Sequence, residues 1–173
     1  MKRNLQKTLI TIACILCSIG VFAYDFEMDG IYYEIRNSDE VKVSYRGSSS
    51  DSYNNEYTGS VVIPEKVTYN NTTYSVTSIG WGAFEGCTGL TEITIPNLVK
   101  VVSRGIFAGC ESLETLILGT GIDKFREVAL RGCDAIKTIY VPAEKADCYK
   151  RLLPNNLHPF IVELEPMKKA KKI

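Results

Sequence analysis

A group of nine residues recurs three times at a spacing of 23 between Val76 and Pro142, and no insertion breaks the register. Most of these positions are apolar, and each copy also carries a glycine followed directly by a cysteine. The first copy is Val76, Ile79, Phe84, Gly86, Cys87, Leu90, Ile93, Ile95 and Pro96. The second is Val99, Val102, Phe107, Gly109, Cys110, Leu113, Leu116, Leu118 and Gly119, and the third is Ile122, Phe125, Leu130, Gly132, Cys133, Ile136, Ile139, Val141 and Pro142. A fixed period of ~20–30 residues is typical of solenoids, in which each unit buries its apolar face against its neighbours.

Each repeat predicts one short strand. In the segment from Leu90 to Ile95, Ile93 and Ile95 point to the same face because strand side chains alternate. Stacked copies therefore predict a parallel ladder of short strands, and proline ends the strands at positions 96 and 142 because it lacks a backbone N–H. Val76 and Ile79 predict a second apolar row. Ala83–Cys87 predicts one helical turn closed by Gly86 in the left-handed conformation.

Before the complete repeats lies a degenerate first one. Val61, Ile63, Pro64 and Val67 match Ile93, Ile95, Pro96 and Val99 at a spacing of 32, which is nine more than the period. Asn70-Asn71 lies within the extra residues and predicts a hairpin turn, since asparagine tolerates positive φ. In the core, Phe107 is expected to be buried between Phe84 and Leu130.

The flanking segments predict a cap at each end of the ladder. Residues 24–59 predict an N-terminal β cap, with strands Phe26–Met28 and Ile31–Arg36 joined by an Asp29-Gly30 turn, and a further strand Val41–Tyr45. Residues 60–142 form the solenoid, with about three 23-residue repeats and the degenerate one. Residues 143–173 predict a C-terminal cap, with a helix Ala143–Leu153, a strand Phe160–Leu164 and a basic tail. The fold class is therefore a mostly β, α+β repeat solenoid.

Residues 1–23 have the pattern of a signal peptide. Basic residues precede a short apolar core from Leu9 to Val21, and Val21-Phe22-Ala23 predicts cleavage after Ala23. An uncleaved anchor and lipid attachment at Cys14 or Cys17 are the alternatives, although the apolar run is short for a spanning helix. We therefore expect an exported protein, extracellular, at the cell surface or in the periplasm, with no transmembrane span in the mature chain.

Composition argues against nucleic-acid binding and against catalysis. The chain has 20 basic and 20 acidic residues, so loss of the three basic residues of the leader leaves a charge of about −3, whereas nucleic-acid binders need a basic face. His158 is the sole histidine, and no motif places a nucleophile against it. No metal-ligand spacing occurs in the mature chain, and we expect no cofactor.

Cys87, Cys110 and Cys133 are expected to form a buried, reduced row. If a disulfide forms, Cys133–Cys148 is the candidate pair.

The motif Ile79-Gly80-x-x-Ala83-Phe84-x-Gly86-Cys87-x-x-Leu90-x-x-Ile93-x-Ile95-Pro96 resembles the BspA-type leucine-rich repeat. The resemblance covers about Ser60 to Pro142. It implies a leucine-rich solenoid of the kind found in secreted or surface proteins of Bacteroides-group bacteria, and a role in attachment to host or bacterial partners. The sequence departs from the motif at Ser103, Arg126, Leu130 and Gly119.

Two functions are consistent with these observations. The first is a non-catalytic secreted or cell-surface binding module that attaches to a protein or glycan at a mucosal or bacterial surface. Its candidate binding face consists of the side chains that alternate with the buried strand residues, namely Glu92, Thr94, Thr115, Ile117, Thr138 and Tyr140. The alternative is a structural component of envelope assembly that has no diffusible ligand.

Overall fold

The computed structural model of the chain describes residues 22–47 and 56–165. The predictions for the leader before residue 22 and for the basic tail lie outside the described residues. The strands are β1 Phe26–Met28, β2 Ile31–Ile35, β3 Glu40–Val43, β4 Gly59–Val62, β5 Lys66–Tyr69, β6 Thr72–Ile79, β7 Leu90–Thr94, β8 Val101–Val102, β9 Thr115–Ile117, β10 Lys124–Phe125, β11 Thr138–Val141 and β12 Ile161–Glu163. Helix α1 spans Ala146–Leu152, and 3-10 helices span Glu127–Leu130 and Asn155–Phe160.

A five-stranded parallel sheet in the order β12-β11-β9-β7-β4 runs through the repeats. Its register joins residues 23 apart, so Ile93 lies opposite Leu116, and Leu116 opposite Ile139. All three side chains are fully buried. The degenerate repeat enters the same ladder, because Val61 of β4 pairs with Ile93 of β7. The 23-residue and 32-residue spacings therefore both correspond to neighbouring parallel strands.

The second apolar row lies on the other side of the same core. Here β8 and β10 form a parallel pair in which Val102 lies opposite Phe125. Val76, Ile79, Val99, Val102, Ile122 and Phe125 are all buried. Burial of both rows on the two sides of each coil removes apolar area from water, which is the main stabilising contribution to a fold of this kind.

A second sheet, which we call the N-terminal sheet, has the order β1-β2-β3-β6-β5. Asp29 and Gly30 adopt φ of 51° and 77° between β1 and β2, and Asn70 and Asn71 adopt φ of 48° and 63° between β5 and β6. Both predicted hairpin turns are therefore confirmed, and the nine extra residues of the degenerate repeat form the β5–β6 hairpin. The third predicted strand begins one residue earlier and ends two residues earlier than Val41–Tyr45.

Tyr57 connects this sheet to the repeat core. Its side chain is only 2% exposed, and its ring centroid lies 4.6 Å from that of Phe84. Its hydroxyl donates to the Ser44 carbonyl oxygen at 2.8 Å and accepts from the Tyr32 backbone N–H at 3.3 Å. Burial raises the pKa of Tyr57 well above the ordinary value for tyrosine. The row of rings continues to Phe107, which stacks on Phe84 at 5.4 Å and is fully buried as expected, whereas Leu130 is only partly buried.

The segment between the two rows does not contain the predicted helical turn. In the first repeat it consists of successive turns in which Ala83, Glu85 and Cys87 each donate a backbone hydrogen bond three residues back. Gly86 has φ of 70°, as expected, and Gly109 and Gly132 have 76° and 79°. The backbone N–H of Gly86 donates across to the Ala108 carbonyl of the next coil at 2.8 Å. Hydrogen bonds to the neighbouring coil take the place of the helical ones. Only the third repeat has a helix here, the short 3-10 helix Glu127–Leu130.

The cysteines of the three repeats form what we call the cysteine ladder, Cys87, Cys110 and Cys133, and all three are buried thiols. The Cys110 thiol donates to the Phe84 carbonyl oxygen at 3.0 Å, and the Cys133 thiol donates to the Phe107 carbonyl oxygen at 2.9 Å. Each thiol therefore gives a buried carbonyl of the preceding coil a second hydrogen bond. The neighbouring Cys133 thiol and burial together raise the pKa of Cys110.

Gly119 stands where the other two repeats have proline, and the structure gives the reason. A Cβ on Gly119 would lie 2.6 Å from the Pro96 carbonyl atoms of the preceding coil. The same turns are joined by polar contacts, because Glu65 Oε1 accepts from the Asn97 backbone N–H at 2.8 Å and Asn97 Oδ1 accepts from the Thr120 backbone N–H at 2.8 Å. The coils approach each other most closely at this edge, so it needs a residue without a side chain.

The C-terminal segment packs against this edge. Helix α1 is shorter than predicted, and Tyr149 on its inner side is 2% exposed and donates its hydroxyl to the Gly119 carbonyl oxygen. The 3-10 helix Asn155–Phe160 follows Pro154, and β12 then adds to β11 in parallel, within the predicted strand Phe160–Leu164. One hydroxyl thus connects the terminal helix to the turn after β9.

Candidate functional site

The six residues of the candidate binding face lie in two rows across the outer side of the parallel sheet. Strand pairing places Glu92 opposite Thr115, and Thr115 opposite Thr138. In the same way, Thr94 lies opposite Ile117, and Ile117 opposite Tyr140. Neighbouring strands are ~4.7–4.9 Å apart, so residues separated by 23 positions in sequence become neighbours, and residues separated by 46 positions lie two strands apart.

The register extends both rows beyond the residues that sequence reasoning identified. Val62 of β4 pairs with Thr94, and Val162 of β12 pairs with Tyr140, so the second row has five members. We call this row, Val62, Thr94, Ile117, Tyr140 and Val162, the outer strand row. Val62 is 61% exposed and Val162 is 45% exposed, whereas the middle three are half-buried. The sequence pattern could have placed Val62 in this row. Val62 lies between Val61 and Ile63 in the same way that Thr94 lies between Ile93 and Ile95.

Polar contacts surround the outer strand row. Ser60 extends the row of Glu92, and its hydroxyl donates to Glu92 Oε1 at 2.8 Å. Glu114 and Lys137 form an ion pair at 2.5 Å just before strands β9 and β11, with side chains 48% and 66% exposed. An exposed pair of this kind contributes only ~0–1 kcal/mol. The strand face is therefore mostly apolar along the outer strand row and polar along its border.

His158 has a structural position. Its Nε2 lies 3.1 Å from the Leu153 carbonyl oxygen at the end of α1, which couples the helix to the 3-10 helix that follows. Among the described residues, no group of three His, Cys, Asp or Glu side chains is placed to hold a metal ion. Within residues 22–47 and 56–165, no helix is long and apolar enough to cross a membrane.

The recesses among the described residues include two that border the repeats, and the larger reaches the strand face at Ser60 and Val62. The larger, of about 360 Å³, lies between the β1–β2 turn and β4, and its lining includes Asp29, Tyr33, Glu56 and Val62. Burial raises the pKa of Glu56, although its carboxylate accepts from the Arg46 backbone N–H. The smaller, of about 230 Å³, lies among the turns that follow the second apolar row. Sequence reasoning identified neither. The larger recess needs contacts between residues outside the repeat register, and the smaller depends on how the side chains of three stacked turns pack.

Comparison with known protein families finds one match. The model of the BspA type leucine-rich repeat region matches residues 49–154 in six copies. The 23-residue spacing gives three full repeats and a partial one, and the number of structural repeats stays a prediction. No curated protein matches the chain significantly.

Solved structures similar to this chain include leucine-rich repeat proteins from Bacteroides and Faecalibacterium species. One from Bacteroides capillosus is 26% identical, covers 81% of this chain and 98% of its own, and superposes with a TM-score of 0.58. One from Bacteroides ovatus is 30% identical over 69% of this chain, with a TM-score of 0.48, and this chain spans only 36% of its length. A leucine-rich cell surface protein from Faecalibacterium prausnitzii is 24% identical over 66% of this chain and 32% of its own, with a TM-score of 0.44.

Proposed function

We propose, since the chain belongs to the BspA-type leucine-rich repeat family, that it is a non-catalytic binding module whose contact surface is the outer strand row. The observation that carries the proposal is the continuity of this row across five strands. Its ends, Val62 and Val162, are exposed, and its centre holds Ile117 and Tyr140. Tyrosine beside aliphatic side chains, with a polar border, is the composition found at the centres of protein contact surfaces.

The size of the surface limits the partner. Five strands at ~4.8 Å spacing span about 19 Å, and the two rows are about 7 Å apart along the strands. This area is well below the ~800 Å² that each partner buries in a standard protein interface. The partner that fits is an extended one, either a glycan chain or a short peptide segment at a mucosal or bacterial surface.

The proposal is tested by replacing both central side chains of the row with serine. The double variant Ile117→Ser, Tyr140→Ser should bind at least tenfold more weakly to whichever probe the parent binds on an array of mucosal glycans and matrix proteins. A matched control is Lys66→Ser, Lys124→Ser, which removes two exposed side chains from strands outside the parallel sheet and should leave binding within twofold. Equal binding by parent and double variant, with both folded by circular dichroism, would place the contact surface elsewhere.

The ends of the repeat array also have proposed roles. The N-terminal sheet, coupled to the repeat core through Tyr57, acts as one cap of the solenoid, and α1 with β12, coupled through Tyr149, acts as the other. Caps are needed because the terminal coils of a solenoid would otherwise expose apolar core.

The mature chain begins at Tyr24 after export and acts outside the cytoplasm. N-terminal sequencing of the exported protein checks this start, and a product that retains Met1 contradicts it.

A structural role in envelope assembly is the second candidate, and the ends of the parallel sheet favour it. Among the described residues, β4 and β12 are each paired on one side only. All five strands run parallel, so β4 of one copy could continue the ladder after β12 of another and form an open stack. Light scattering distinguishes the two functions, because an assembly component should increase in mass with concentration and a monovalent binding module should remain a monomer.

A further inference from the structure

The smaller recess lies where three successive coils place equivalent turns side by side. Its lining residues are Trp81, Glu85, Arg104, Gly105, Ala108, Val128 and Arg131, and we call it the Trp81 pocket. Trp81 is 60% exposed and is the single tryptophan of the chain. Val128, 36% exposed, lines the same recess. A single exposed apolar residue needs no explanation, but two large ones that line one recess indicate a contact surface.

Small residues open the recess between long ones. Glu85, Ala108 and Arg131 occupy the same repeat position, so the alanine leaves a gap between a carboxylate and a guanidinium. The Trp81 indole lies over the next coil, where a Cβ on Gly105 would be 3.7 Å from its Nε1. The indole ring thus forms one wall of the pocket, and Ala108 forms part of the floor.

The polar groups of the pocket include one that lacks a partner. Glu85 Oε2 is buried and has no hydrogen-bond partner among the described residues. Buried polar atoms in folded proteins almost always have a partner, so such an atom needs an explanation. Arg104 and Arg131 line the same recess with exposed side chains. A ligand that donates to Glu85 and accepts from the arginines would provide the missing hydrogen bonds.

From these observations we infer that the Trp81 pocket binds one pyranose residue of a glycan. A pyranose has a flat C–H face that stacks on an indole ring, and a rim of hydroxyl groups that both donate and accept. The volume of about 230 Å³ is below the ~300–1,000 Å³ of pockets for drug-sized ligands, which matches a single sugar ring.

The mixed charge of the lining favours a neutral sugar over other small ligands. An anion such as a peptide carboxylate would meet Glu85, and a cation such as an amine would meet Arg104 and Arg131. A neutral ring of hydroxyl groups can satisfy both signs at once. This site is separate from the outer strand row, so the two proposals can fail independently.

The single tryptophan makes the test direct. Trp81 fluorescence is recorded during titration with methyl glucoside, methyl galactoside, methyl mannoside and N-acetylglucosamine, and with acetate and glycinamide as charged probes. At least one sugar should give a saturable change with a Kd on the order of 1–10 mM, as expected for a ligand of about twelve non-hydrogen atoms. The charged probes should give none.

Variants locate the response in the pocket. Glu85→Ala should weaken sugar binding at least tenfold without lowering the melting temperature, because the atom removed has no partner in the unliganded protein. Ala108→Leu should fill the floor of the pocket and abolish the response. If Ala108→Leu disturbs folding, Arg131→Ser tests the same pocket at an exposed residue. The control Lys66→Ser, at an exposed residue of β5 outside both surfaces, should respond as the parent does. The inference is overturned if no sugar gives a saturable change up to about 100 mM. It is also overturned if only acetate or glycinamide gives a response, or if Glu85→Ala and Arg131→Ser respond as strongly as the parent.

Discussion

Replacing Gly121 with alanine is the sharpest test of how the coils stack. A Cβ at this position would lie 1.9 Å from the Asn97 carbonyl oxygen and 3.3 Å from the Val99 carbonyl oxygen. Both atoms belong to the backbone of the preceding coil, so no side-chain rotation can relieve the contact. Gly121 does not adopt a left-handed φ. The constraint is therefore the close approach of two coils and not local backbone strain.

The cost follows from the displacement that the contact requires. The added Cβ must move from 1.9 Å to an ordinary contact distance of 3.4 Å from the Asn97 carbonyl oxygen, which needs a shift of about 1.5 Å between neighbouring coils. Overpacking of this kind costs ~1–3 kcal/mol. The same turn carries the Thr120 N–H to Asn97 Oδ1 bond and the Tyr149 hydroxyl bond to Gly119, each contributing about 1 kcal/mol if it is lost. The expected loss is ~3–5 kcal/mol of a total unfolding free energy of ~5–15 kcal/mol.

Calorimetry or urea denaturation measures this loss, and Gly30→Ala is the matched control. Gly30 has φ of 77° and no atom within 4 Å of a built Cβ, so its substitution costs only local strain of ~1–2 kcal/mol. Gly121→Ala should lower the melting temperature by roughly 10 °C, and Gly30→Ala by less than half of that. If the two variants melt together, or if Gly121→Ala melts with the parent, the stacking argument is wrong.

Three other predictions concern buried groups. Phe107→Ala should cost ~3–5 kcal/mol, since the ring is fully buried and stacks on Phe84, and an unchanged denaturation midpoint would contradict the packing described here. Burial raises the pKa of Tyr149 to about 12 from the ordinary 10.0, so its neutral hydroxyl contributes stability fully below pH 10 and loses it between pH 10 and 12. Tyr149→Phe should flatten the fall in unfolding free energy over that window, and an equally steep fall in the variant would exclude this role. A thiol reagent should modify the exposed Cys148 rapidly and the cysteine ladder only after denaturation, with labelling followed by mass spectrometry; fast native labelling of Cys110 would disprove its burial.

The strand ladder, its register and the hairpin turns could be predicted because each depends on a signal carried by the sequence itself. A 23-residue period without insertions places equivalent residues on neighbouring strands, so pairing of Ile93 with Leu116 follows from counting. Asn70-Asn71 and Asp29-Gly30 predict their turns because few residue pairs tolerate two successive positive φ angles. The pairing of the degenerate repeat at a spacing of 32 could be predicted in the same way.

The single helical turn at Ala83–Cys87 was predicted wrongly, because local propensity could not reveal that the Gly86 N–H bonds to the neighbouring coil. The same limit explains Gly119, which stands where the other two repeats have proline. The steric reason is visible only once the coils are packed, because Pro96 of the preceding coil then lies beneath Gly119. It also explains Val162, which joins the outer strand row through a strand outside the repeat period.

The sequence alone therefore determined the repeat, the two buried rows and the direction in which the strand side chains point. The tertiary structure alone decided how closely the coils approach at Gly119 and Gly121, which residues couple the flanking segments to the core, and that Trp81 and Glu85 share a recess. The physical reason is that periodicity specifies contacts between equivalent residues. Tyr57 on Phe84, Tyr149 on Gly119 and Trp81 over Gly105 are contacts between residues that are not equivalent, and they exist only when the coils are packed.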